Sequence, residues 1–161
     1  LHVGVLMQLG AQRSLQLARA AHERDADLAV ARRLRQARGA MHAIQRQHEV
    51  LDNGIRTLTT SADPEVVALL HDHVPAMHQR LEEGFALRRW DPLYVEIFAH
   101  RQQLRMAIEL LEDGVRVEET SDDPWVVRLI QAHGTAVDAF VAQGHGAAGQ
   151  PSPMPDPGEI D

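Results

Sequence analysis

The stretch 54–84 recurs without a gap, sixty residues later, as 114–144, and twelve of its 31 positions are identical. A recurrence of that length at a constant offset constrains the fold more than any single motif does. Whatever unit the first copy builds, the second copy builds again, and each needs the other to cover its apolar face.

Most of the identities are architecture: Ser, Asp-Pro, Val-Val, Leu and Gly. Asp-Pro stands at Asp63-Pro64, Asp91-Pro92 and Asp123-Pro124, each time ahead of apolar residues at helical spacing. An Asp side chain accepts from the free amides of a first turn. A Pro at the first helical position lacks only an N–H that would go unused there. Gly84, Gly114 and Gly144 follow as candidate helix ends able to take positive φ. Helices are therefore expected near 63–83, 91–112 and 123–143, with an earlier one over about 26–52. After Gly54 and Gly114 come "IRTLTTS" and "VRVEETS", whose period-two alternation reads as a short strand.

The expected fold is α+β. It has two pseudo-twofold-related helix–strand–helix repeats, about 26–84 and 91–144, with four main helices. The two short strands pair antiparallel across the axis as a two-stranded ribbon. The alternative is an all-α four-helix bundle whose strands are extended linkers. Residues 1–25 read as an N-terminal segment, either a ragged helix or the remnant of a signal peptide. Residues 145–161 hold four of the eight prolines and read as a disordered tail.

Composition closes some routes. Without cysteine there is no disulfide, thiolate metal site or Cys nucleophile. No apolar run is long enough to span a membrane. The net charge of -7 makes the chain a poor nucleic-acid binder, although eight Arg between 11 and 46 leave that part locally basic. Either an exported or a cytoplasmic location fits these features.

Chemistry is carried by few residues. His73 and His133 fall at the same place in the two copies, each at the edge of an apolar stripe. The stripe is Val66, Val67, Leu70, Val74, Met77 and Leu81 in the first copy, and Val126, Val127, Ile130, Val137 and Val141 in the second. His71 and His78 lie off it and are expected in solvent. In one reading each matched His is a core hydrogen-bonding residue, and the two share the same surroundings. In another they ligate a transition metal or haem iron, helped by Met77 one turn beyond His73 and by His100 and Met106. Val137 stands where the first copy has Met77, so such a site is not symmetric. A third reading is a small hydrolase. Ser61 and Ser121 lie near the histidines, but they precede Asp-Pro, where turn chemistry asks for Ser.

The run "GIRTLTTSADPEVVALLHDHVPAM", then "RRWDPLYVEIF", then "GVRVEETSDDPWVVRLIQAH", resembles a family of small, uncharacterised bacterial proteins with tandem GV-x-T-x-TSDDP-x-V repeats around a central DPL segment. The resemblance covers about 44–144. It implies a repeat protein, often exported, with further histidines on the first helix. Arg35 and Ala40 stand here where those would be sought. The resemblance brings no activity with it. The functional expectation is a non-enzymatic binding or interaction module for an unknown protein or small ligand.

Overall fold

The structure is a computed structural model, and it describes residues 43–86, 88–144, 147 and 149–158. The Asp-Pro signals act as read. Asp63 Oδ1 accepts from the Glu65 amide at 2.9 Å and opens α1, Pro64–Glu83. Asp91 Oδ1 accepts from Leu93 at 3.2 Å and opens α2, Pro92–Ala99. Asp123 Oδ1 accepts from Trp125 at 2.8 Å and Val126 at 3.2 Å and opens α3, Pro124–Gln143. Gly84 (φ 73°) and Gly144 (φ 62°) close the two long helices in a backbone region that side chains disfavour.

The strands depart from expectation. Ile44–Leu51 is β1, within the segment expected as a first helix; the rest of that segment, 26–42, lies outside the described residues. Gly54–Ser61 is β2. The helix expected over 91–112 ends at Ala99. After a single 3-10 turn, Arg101–Gln103, the chain enters β3, Arg105–Leu111, and β4, Gly114–Thr120. The described residues thus form three helices and four strands. That overturns the four main helices, the two-stranded ribbon and the all-α alternative. The order that occurs twice is strand–strand–helix, not helix–strand–helix.

All strand pairs are antiparallel, in the order β1-β2-β4-β3. In the central pair Thr57 faces Val117, its own counterpart at sixty residues, so the local twofold passes between them. Gly114 is not a helix cap. Its Cβ would lie 2.0 Å from the Thr59 carbonyl oxygen, and that of Gly54 1.9 Å from the Glu119 carbonyl oxygen. Only glycine lets the strands approach this closely.

Both long helices lie on one face of the sheet, and each reaches the other unit's hairpin. Val66 and Leu70 of α1 pack on Val115 of β4. Val126 and Ile130 of α3 pack on Ile55 of β2. Leu81, Leu93, Ile97, Leu129 and Ala136 join the three helices in one buried cluster. The opposite face is solvated. There Arg56 bridges Glu49 and Glu118, each at 2.9 Å, and Arg116 pairs with Glu109. Among the described residues no helix is long and apolar enough to cross a membrane.

Candidate functional site

The four residues proposed as ligands fall in three places. His73 and Met77 are half-buried on α1. His133 on α3 places Nδ1 3.5 Å from Glu119 Oε2 and sets its ring edge-on to Tyr94, with centroids 5.4 Å apart. His100 caps the far end of α2, where Nδ1 meets Gln103 Oε1 at 2.9 Å and Nε2 is 3.6 Å from Glu96. Among the described residues no group of three or more His, Asp and Glu is arranged to hold a metal ion. The matched serines serve turns. Ser61 Oγ accepts from the Asp63 amide at 3.1 Å, and Ser121 Oγ donates to the Gln103 carbonyl at 2.7 Å.

The strand residues matched to the histidines' neighbours differ between the two units. The strand position sixty residues before Glu119 is Thr59, whose hydroxyl accepts from Arg46 Nη1 at 3.0 Å. Arg46 Nε also donates to Asp138 Oδ1 at 2.6 Å, and Asp138 Oδ2 meets His48 Nδ1 at 2.6 Å. This ties α3 to β1 and has no equivalent in the other unit, where Met106 and Ile108 stand in place of Arg46 and His48. Burial pushes the Tyr94 hydroxyl well above the usual phenol range, so it stays protonated, a donor rather than a nucleophile.

His71, expected in solvent, is half-buried and bonded. Its Nε2 lies 2.9 Å from the carbonyls of both Leu111 and Gly114. Histidine at that place acts as a clamp on a hairpin turn.

The most developed polar site was read from the sequence only as a helix cap. Asp91 is fully buried. While Oδ1 caps α2, Oδ2 accepts from Arg88 Nη2 at 3.0 Å and from the Ser152 hydroxyl and amide at 2.8 and 3.2 Å. Burial, the largest single influence, pushes its pKa up. The Ser152 bonds and the Arg88 guanidinium together outweigh it and hold the carboxyl below the ordinary aspartate range. Arg88 also lies over Trp90, Tyr94 and Phe140, 4.4, 4.9 and 4.9 Å from the ring centres. Its Nη2 is 3.3 Å from the Gln150 carbonyl oxygen. The Pro-rich segment read as an unstructured tail is here laid across the α2–α3 junction, with Ser152 buried.

Beside it opens a groove of about 660 Å³, lined by Trp90, Pro92, Val95, Trp125, Met154 and Pro155 among others. Trp90 is 53% exposed, Val95 43% and Met154 41%. Large apolar side chains left in solvent together, rather than singly, mark contact surfaces. The sequence held one signal for this site: both tryptophans adjoin an Asp-Pro cap, Trp90 just before and Trp125 just after, so both are carried on helix starts.

No family model matches the chain, and neither the curated proteins nor the solved structures include a match to it.

Proposed function

We propose that this chain is a binding module, and that its contact surface is the groove between Trp90 on one side and Trp125 on the other. The observation that carries this reading is Trp90 itself. A tryptophan more than half exposed, stacked on Arg88 and next to a buried Asp, has a fixed orientation without having been buried. Fixed aromatic rings with open faces lose little entropy on binding and anchor interfaces well. Val95, one turn along α2 from Asp91, extends the same apolar surface.

The reading is tested on an array of immobilised peptides of apolar, acidic and proline-rich composition, probed with the full chain. Selective retention that is lost in Trp90→Ala supports it. Equal retention by wild type and Trp90→Ala rejects it.

A further inference from the structure

We propose that the segment 150–157, which walls this groove and is bonded to Asp91, Arg88 and Arg128, acts as an intramolecular ligand at the groove's edge, and that the groove's partner in trans is a proline-rich extended segment that displaces it. The inference rests on the binding-module reading and names the chemistry of its partner.

Residues 151, 153, 155 and 157 are all Pro, so every second residue of the segment lacks an N–H. Such a chain cannot enter a helix or complete a sheet ladder, and it favours the extended polyproline conformation. A surface that recognises it must offer two things: donors for its carbonyls and flat apolar faces for its rings. Both are present. Arg88 reaches the Gln150 carbonyl at one end of the segment, and Arg128 donates to the Pro157 carbonyl at the other. Arg128 itself lies 5.6 Å over the Trp125 ring. Trp90 and Trp125 supply the faces, and Met154, Pro155 and Pro157 line the groove from the segment's side. A proline-rich chain thus already forms one wall of this groove, while Trp90 keeps more than half its area open.

The only side chain of the segment to be buried is Ser152, and its hydroxyl and amide both bond Asp91. Its bonds to Arg88 and Arg128 are accepted by backbone carbonyls, which any extended proline-rich chain offers. A tethered ligand competes at high effective concentration, so a free one binds with an affinity reduced by the fraction of time the groove is vacated.

The probe is a synthetic peptide with the sequence of 150–158, titrated into the full chain and followed by tryptophan emission and calorimetry. Controls are the same peptide with its four prolines replaced by alanine, and an apolar peptide without proline. Two full-chain variants loosen the segment from different sides: Ser152→Ala at its buried anchor, and Pro155→Ala with Pro157→Ala on the side that lines the groove. The expected result is binding of the proline peptide, no binding of its alanine control, and roughly tenfold tighter binding by both variants. Trp90→Ala abolishes it. Equal affinity in wild type and both variants overturns the displacement. Binding of the apolar peptide but not the proline peptide overturns the partner assignment and leaves the binding module standing. Binding of no peptide removes both. Circular dichroism of each variant confirms that it is folded, and the proline pair, remote from the core, serves if Ser152→Ala is not.

Discussion

His71 and Gln131, sixty positions apart, make the same pair of hydrogen bonds. His71 Nε2 meets the Leu111 and Gly114 carbonyls at 2.9 Å each, and Gln131 Nε2 donates to Leu51 and Gly54 at 3.1 and 3.2 Å. Each side chain leaves its own unit and clamps both ends of the other unit's hairpin turn. With carbonyls as the only acceptors, the His71 ring carries its proton on Nε2. The backbone closes the same turns alike: Ser61 N donates to Asp113 O and Ser121 N to Asn53 O, both at 2.9 Å.

The equivalence predicts an exchange. His71→Gln should cost under about 1 kcal/mol, because the amide offers the same donor position. His71→Ala and Gln131→Ala should each cost roughly 1–3 kcal/mol, by leaving two turn carbonyls without a donor. Urea unfolding midpoints measure all three. A His71→Gln variant as unstable as His71→Ala would mean that the imidazole is needed for something other than the clamp.

What the sequence showed of this arrangement depended on which residues face the helices. β2 and β4 were legible because Ile55 and Val115 begin an inward alternation. β1 was not, because its inward positions include Arg46 and His48, which face Thr59 and Thr57. A polar inward face erases the period-two signal. β3 failed for the opposite reason. Met106, Ile108 and Leu110 alternate with Ala107 and Leu111, so both faces look apolar and the run "MAIELL" reads as helix. Of the candidate site, the caps were legible and the groove was not. The second job of Asp91 depends on Ser152, sixty-one residues away, and no local pattern encodes that contact.

Gly134 sits inside α3 with its Cα facing Ile55, where an added Cβ would come within 2.3 Å of Cδ1. The counterpart position holds Val74, packed in the cluster around Val115. The two interfaces thus fill similar space with Gly against Ile and Val near Val. Gly134→Ala gains about 1 kcal/mol of helix propensity. It loses about 1–3 kcal/mol by pushing an Ile that is 1% exposed off its rotamer, so the net change should be destabilising. Ile55→Val alone should cost roughly 0.5–1.5 kcal/mol. Combined, the two should be more stable than the sum of the single changes, since the shortened side chain vacates the clash. Strict additivity in thermal melts would show that the contact does not constrain the helix.

Asp91 gives the pH prediction. Its folded pKa lies below the ordinary value. The stability it contributes is therefore present above roughly pH 3.9 and disappears as pH falls through the folded value. Acidification below about pH 4 should weaken the Ser152 bonds first, visible as faster exchange of the Ser152 amide and a change in Trp90 emission. Asp91→Asn keeps a competent cap. It removes the charge that Arg88 and Ser152 share, costing roughly 1.5–3 kcal/mol at neutral pH. The acid step at Ser152 should vanish in that variant. Its persistence would assign the step to another carboxylate.

The matched histidines are expected to part company, against the sequence reading that gave them one set of surroundings. His133 stands beside Glu119, a carboxylate only 6% exposed. Removing the imidazole takes away the side chain that Glu119 meets there, and a buried polar group left without its partner is costly. His133→Ala should cost about 2–3 kcal/mol. At the counterpart strand position Thr59 brings no carboxylate, so His73→Ala should cost less, nearer about 1 kcal/mol. Installing the counterpart residue should repair the first defect: His133→Ala with Glu119→Thr should be more stable than His133→Ala alone, because the stranded carboxylate is gone. Denaturant titrations of the four proteins decide this, alongside elemental analysis of each. If His73→Ala and His133→Ala instead lose equal stability and both shed a bound metal, the two imidazoles share a ligand, and the contrast between Glu119 and Thr59 is incidental.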